Sequence, residues 1–336
     1  MLSQPVHSTT PAADADDLGC DLAILQLGHR LQASGYRFIT VTPLSHQRNN
    51  ARAENRVARQ VRDVFGWSRP FARELLPGAD FDALASGGVL REHAGLWASD
   101  IRWSSLNDLL LVHSAYPTVA YDAVFFGPDT YRFAQAIEAH LLARTQPIER
   151  AVDIGCGSGV GALLIGRARP AAQVLAVDIN PTALRYTAVN AALASVNNVT
   201  AWHSDILAGT EGDFDLIVAN PPYMHDTQGR AYRDGGEGLG SALSVRIAAQ
   251  ALGRLRPGGT LLLYTGAPSV EGQDLFLQQV QPLLEASGFQ WAYQELDPDV
   301  FGEELDTPSY RTAERIAAVL MTVTRLPITL PGDLPT

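Results

Sequence analysis

The chain has 336 residues, 46% of them hydrophobic and 18% charged, with a formal net charge of −11. That length buries a sizeable core in one large or two smaller domains; the acidic balance argues against broad electrostatic capture of nucleic acid, which relies on phosphate contacts. No apolar run reaches the roughly 18 residues of a membrane helix. Cys20 and Cys156 are far apart and the eight histidines are scattered without a His-x-x-x-His pair, so neither a disulfide framework nor a metal site is expected. All 25 basic residues are arginine.

Residues 1–17 lack the basic start and apolar centre of a signal peptide, and read as a disordered leader on a cytoplasmic protein. Helical spacing of Leu22, Ile24, Leu25, Leu27 and Leu31 predicts a first helix over 18–34, with Gly35 as its stop. After a short extended piece at 38–41, a polar helix is expected over 45–65. It would carry Arg48, Arg52, Arg56 and Arg59 on one face, either simply solvated or docking an RNA or an acidic partner. Short helical patches broken at Pro70 and Pro77 follow. Strand-like stretches at 89–93, 101–106 and 109–113, with turns at Ala94-Gly95 and Asn107-Asp108, then suggest a small α+β, winged-helix-like docking domain over 18–120.

The second domain is expected over 121–325. Pro128-Asp129-Thr130 opens a helix to about residue 144, with Asp129 or Thr130 as N-cap, either a buried cap or a turn overhanging a cofactor pocket. The strand at 151–154 runs into Gly155-Cys156-Gly157-Ser158-Gly159, where glycines let backbone approach a ligand. Asp153 beside that turn would repel a pyrophosphate and suit an amino group or a cationic sulfonium compound. A second strand ends at Asp178, placed to accept from ribose hydroxyls. A third leads to Asp205, a candidate acceptor for an adenine amine, with Ile179 and Ile206 on either side of the ring.

The fourth strand, Asp215-Leu216-Ile217-Val218-Ala219, should stop at Asn220-Pro221-Pro222-Tyr223. Two prolines fix φ and withhold two N–H donors, so the corner is stiff and its carbonyls are free. The Asn220 side-chain oxygen and the Pro221 carbonyl can each accept one hydrogen of a planar NH₂, while Tyr223 can stack on the group that carries it. Residues 224–240, with Arg230, Tyr232 and Arg233, show no hydrophobic period and read as a mobile lid or substrate loop. A helix over 242–255, a turn at Pro257-Gly258-Gly259, a strand over 260–264 and a helix over 273–287 follow. Strands at 290–296 and 317–324 should close the sheet as an antiparallel pair. They flank an insertion at 297–310 of unassigned purpose, and 326–336 reads as a tail.

In this order, Asp153 to Gly159, Asp178, Asp205 and Asn220 to Tyr223 resemble the class I S-adenosylmethionine-dependent methyltransferases. That resemblance implies a doubly wound, Rossmann-like, seven-stranded α/β sheet, parallel but for one strand. Asn-Pro-Pro-Tyr is similar to the motif of enzymes that methylate planar nitrogens. Phe126-Gly127-Pro128-Asp129-Thr130 and Arg233-Asp234-Gly235-Gly236-Glu237-Gly238-Leu239 further resemble the protein-(glutamine-N5) methyltransferases. Two departures stand out: Phe-Gly replaces the usual Pro-Arg, and a winged-helix-like module replaces a helical bundle. The resemblance implies S-adenosyl-L-methionine as cofactor and no metal. It implies Asn220, Pro221, Pro222 and Tyr223 as the catalytic corner, and Thr130, Asp153, Gly155, Cys156, Gly157, Gly159, Asp178, Ile179, Asp205, Ile206 and Asn220 around the cofactor. The acceptor it favours is a protein glutamine, the alternatives being an exocyclic amine of an RNA or DNA base or a small-molecule amine.

Overall fold

In the computed structural model, residues 15–226, 230 and 232–327 are described. Most of the expected leader and tail lies outside them, although the first helix, α1 (Ala15–Ala33), already includes the leader's last three residues. The N-terminal part continues with α2 (Pro43–Asn50), α3 (Val61–Phe65) and α4 (Gly78–Ser86). Two antiparallel hairpins follow, β1 (Leu90–His93) with β2 (Leu96–Ser99), and β3 (Ile101–Leu106) with β4 (Leu109–Ser114).

The long helix expected over 45–65 is broken, and buried Arg69 is the reason. Its guanidinium donates to Asn50 Oδ1 (2.9 Å), Asn49 Oδ1 (2.8 Å) and Asp63 Oδ1 (2.9 Å). A straight helix would separate residues 50 and 63 by about 20 Å, so one buried cation could not be satisfied by both. Arg48, Arg52, Arg56 and Arg59 are exposed but distributed over α2 and the turns after it, not along one helix face.

The rest of the chain is α5 (Pro128–Ala143), β5 (Arg150–Ile154), α6 (Val160–Ala168), β6 (Gln173–Asp178), α7 (Pro181–Leu193), β7 (Val199–His203), β8 (Phe214–Ala219), α8 (Ala242–Leu252), β9 (Leu255–Val270), β10 (Gln273–Asp274), α9 (Leu275–Ser287), β11 (Gln290–Asp297) and β12 (Arg315–Thr324). The main sheet runs β11-β12-β9-β8-β5-β6-β7, with short β10 also on β9. All neighbours on this path are parallel except β12, which is antiparallel to both β9 and β11. This is the doubly wound, mostly parallel sheet expected. One expectation fails locally: the turn at Pro257-Gly258-Gly259 is absorbed into β9, and the β8–β9 register shifts between Phe214↔Leu255 and Leu216↔Thr260.

Alternating strand residues feed two cores. Ala151, Val174, Leu216, Val218 and Leu262 pack with α5 and α6, while Val152, Val177, Ile217, Leu261 and Leu263 pack with α8 and α9. Leu216, Ile217 and Val218 are fully buried, each contributing about 1.5–3 kcal/mol, so the strand that carries Asn220 is firmly held. A third core, built on α1, α4 and the hairpins, extends onto α7 through Val189 and Leu193. Buried Asn190 joins it to the glycine turn, accepting from Val112 N (2.7 Å) and donating to Ser158 O (2.9 Å). No described helix is long and apolar enough to cross a membrane.

Candidate active site

The sheet dictates where a ligand can sit. From β5 the chain steps outward to β6 and β7, then returns to β8 on the other side of β5. In open α/β sheets the crevice at such a reversal, beyond the carboxyl ends of the strands, is the binding site. A cavity opens there, lined by Gly155, Cys156 and Gly157 after β5, Asp178 at the end of β6 and Ile179 after it, Asp205 and Ile206 after β7, and Asn220 to Tyr223 after β8.

The glycine turn forms because Gly155 (φ 67°), Gly157 (φ 53°) and Gly159 (φ 80°) all take left-handed conformations, which side chains disfavour. A β-carbon on Gly155 would meet nothing within 4 Å, so the turn presents bare backbone to open space. Gly159 does a different job from the one expected. It does not line the cavity; it packs against Thr187, which a β-carbon would approach to 2.8 Å. The Cys156 thiol is buried beside Asp178 and Asp153, and burial above all raises its pKa well above the ordinary value.

Asp178 accepts from Gly157 N (3.0 Å) on one oxygen and from Asn180 N (2.9 Å) on the other. Burial raises its pKa, and those amides oppose the shift. A carboxylate has about four acceptor sites, so these amides leave it capacity for a ligand's hydroxyl. Asp153 also lines the cavity. Only 1% exposed, its carboxylate caps the first turn of α6, accepting from Ala162 N (2.9 Å), and burial pushes its pKa up to about 7. Asp205 is largely exposed and pairs with Arg246 at 3.2 Å. Ile206 is buried with φ 53°, an outlier for a β-branched residue, while Ile179 is 52% exposed at the rim.

The N-cap of α5 lies two residues before Asp129, the earlier of the two expected caps. Gly127 is its N-cap and Pro128 its first residue, because proline's fixed φ suits that position. Thr130 Oγ1 accepts from Gly127 N (3.2 Å), while buried Asp129 accepts from Tyr264 Oη (2.6 Å) and from Arg132 (3.2 Å). Both Asp129 and Thr130 line the cavity.

The β8 corner is half-exposed at Asn220 and buried at Pro221 and Tyr223. The Tyr223 ring lies over Gly266, where a β-carbon would approach it to 2.3 Å. Burial, then the neighbouring Asp129 carboxylate, raise the Tyr223 pKa well above the ordinary value, so the phenol stays neutral. The loop after the corner folds back onto it: Met224 N donates to Arg233 O (3.1 Å) and Gly235 N to Met224 O (2.7 Å). Residues 227–229 and 231 of that loop lie outside the described residues. Of the expected substrate residues, Tyr232 and Arg233 line the cavity. Arg230 does not, its guanidinium forking onto Asp226 at 2.8 and 2.7 Å. Tyr232 donates to Thr118 O (2.6 Å) and stacks on Phe125, with centroids 6.1 Å apart. Phe125 and Phe301, both on the cavity wall, had no local pattern to mark them. Among the described residues, no group of three or more His, Cys, Asp or Glu is placed to hold a metal ion.

The model of a family described as methyltransferase small domain matches residues 133–269, the span from α5 to β9 that builds this crevice. Those residues are thus similar to that domain. The release factor glutamine methyltransferase of Xylella fastidiosa strain Temecula1 is 43% identical over 133 residues, covering 35% of this chain and 46% of the relative. That of Deinococcus radiodurans strain R1 is 35% identical over 171 residues, covering 46% and 55% respectively. The chain thus spans about half the length of the curated relatives it matches. Wild-type Trm5b from Pyrococcus abyssi superposes with a TM-score of 0.47 at 18% identity, over 70% of this chain and 62% of that one, too loose a likeness to bear on function.

Proposed function

We propose that the protein is an S-adenosyl-L-methionine-dependent N-methyltransferase acting on the side-chain amide of a protein glutamine, with a peptide release factor as the first acceptor to test. The observation that carries this reading is the Asn220-Pro221-Pro222-Tyr223 corner on one wall of the cavity whose other walls are the glycine turn and Asp178. The names of the relatives support the acceptor class. In this reading residues 121–325 perform the transfer and residues 18–120 dock the acceptor.

The residues present fit the cofactor. Bare backbone at Gly155 and Gly157 gives room for its methionine part, Asp178 has lone pairs for ribose hydroxyls, and Ile179 and Ile206 offer apolar faces for a base. When bound, the cofactor supplies a sulfonium methyl group and leaves as the neutral sulfide S-adenosyl-L-homocysteine. Asp153 acts through the α6 turn, fixing the glycine loop from below. Asn220 Oδ1 and the Pro221 carbonyl accept the two N–H hydrogens of the acceptor amide. Its lone pair is delocalised, and two such bonds favour a nitrogen with more localised density facing the methyl. The methyl group would come from the bound cofactor, whose neutral sulfide would depart, and the N–H proton of the acceptor amide would pass to water. Positioning contributes most of the rate, as in other in-line transfers between held reactants.

Asn220→Ala should leave cofactor affinity unchanged by calorimetry and lower methyl transfer by about 10² to 10³-fold, the scale for removing one such acceptor or donor. Equal loss of both would make Asn220 a structural residue. Labelling a lysate of a strain lacking the gene with radioactive cofactor, then separating protein, RNA and small molecules, tests the acceptor; label confined to RNA would overturn the protein reading.

A further inference from the structure

The segment from 297 to 310, between β11 and β12, is placed where the acceptor would enter. Phe301 lines the cavity, half-exposed, with its ring edge-on to Tyr223 at 6.0 Å and 68°. It holds φ 57° and ψ 39°, a left-handed conformation that opposes an aromatic side chain and persists only where the surroundings impose it. Two anchors impose it. On the near side, buried Val300 donates from its N–H to Ile316 O (2.7 Å). On the far side stands Tyr310, fully buried.

Tyr310 also grips the loop that follows the catalytic corner. Its hydroxyl accepts from His225 N (2.8 Å) and donates to Leu239 O (3.0 Å), so one side chain joins the two ends of that loop. Between the anchors, Glu304 forms an ion pair with Arg233, itself on the cavity wall. Arg132, paired with Asp129 at 3.2 Å, reaches Asp297 at 2.6 Å and ties the start of the segment to the same cavity.

We infer that this segment is the specificity element of the acceptor site: Phe301 is the apolar wall against which the acceptor's side chain lies, and Glu304 and Tyr310 fix the loop that carries Tyr232 and Arg233. Together Tyr223, Phe301, Phe125 and Tyr232 give the mouth aromatic surfaces at differing angles. Such surfaces suit a neutral, planar amide on a short aliphatic stem, with stem and amide faces in apolar contact and polar edges directed to Asn220 and Pro221. The inference rests on the function proposed above and adds to it the residues that select the acceptor.

The test uses the full chain, with radioactive cofactor and the protein fraction of a lysate from a strain lacking the gene. Phe301→Ala should slow labelling of the protein that the wild type labels by about 10- to 30-fold, in the range of one lost aromatic anchor. Phe301→Leu should restore most of that rate, and cofactor affinity should stay within about twofold in both. Hydrogen exchange reads the brace independently: Tyr310→Phe and Glu304→Gln should speed exchange at His225 and across 232–240 without altering the glycine turn at 155–159. Undiminished labelling by Phe301→Ala overturns the wall, and unchanged exchange overturns the brace, while the proposed function stands in either case. A wild type that binds cofactor yet labels no protein defeats the proposed function and the wall together.

Discussion

Gly235→Ala is the most direct test of how the loop sits on the catalytic corner. A β-carbon at 235 would lie 2.0 Å from Gly240 O, 2.8 Å from Pro222 O and 2.8 Å from Tyr223 Cα. All three are backbone atoms, so no rotamer change relieves the overlap. Ordinary non-bonded separation is about 3.5 Å, so the loop must open by about 1.5 Å between Gly235 and Gly240 and lift from the Pro-Pro corner by about 0.7 Å. Displacements near 1 Å at a site that works by positioning are worth about 10²-fold in rate, and overpacking of this kind is worth about 1–3 kcal/mol of stability. The variant should thus lose about 10²-fold in kcat/KM for acceptor and a few degrees of melting temperature. Calorimetric affinity for the cofactor should change little, because the three atoms nearest the β-carbon belong to the loop and the corner and none to the 155–159 turn. Gly253→Ala serves as control, since φ there is −75° and the nearest atom is 3.7 Å away; it should be neutral in both assays. Wild-type transfer by Gly235→Ala would refute the docking of this loop on the corner.

Asp178→Ala should lower cofactor affinity by about 10²-fold and Asp205→Ala by only a few-fold, since a pair exposed to water is worth little and Asp205 already faces Arg246; comparable losses in calorimetry would restore Asp205 to an equal role. Gly161→Ala puts a β-carbon 2.7 Å from Asp153 Oδ2, so melting temperature and cofactor affinity should fall together; loss of neither would show that the α6 cap tolerates displacement. The Asp153 carboxyl has a folded pKa of about 7 against about 3.9 unfolded, so the folded state holds its proton more tightly. This group's stabilisation is complete below about pH 4 and is lost as pH rises to about 7. Asp153→Asn keeps an acceptor for Ala162 N and removes the titration, so its melting temperature relative to wild type should climb across that window; a constant difference would mean that Asp153 is ionised throughout.

Local sequence determined the parts of this protein that depend on neighbours along the chain. Short, near-continuous apolar runs make β5, β6 and β8, glycines permit the left-handed turn after β5, and paired prolines stop β8 before Asn220 whatever surrounds them. Those signals, with the acids at the strand ends, marked about half of the residues on the cavity wall. Tertiary structure alone decided what each side chain does there, because hydrogen-bond partners and charge neighbours come from distant segments. Asp153 is occupied by the α6 turn and Asp205 by Arg246. The helix expected at 45–65 breaks to satisfy Arg69, and Phe301 reaches the cavity from a segment with no periodicity of its own. Propensity and pattern act over a few residues, whereas buried Arg69 is completed by groups 6 to 20 positions away and buried Asp129 by Tyr264, 135 positions away, and only the folded chain brings those together.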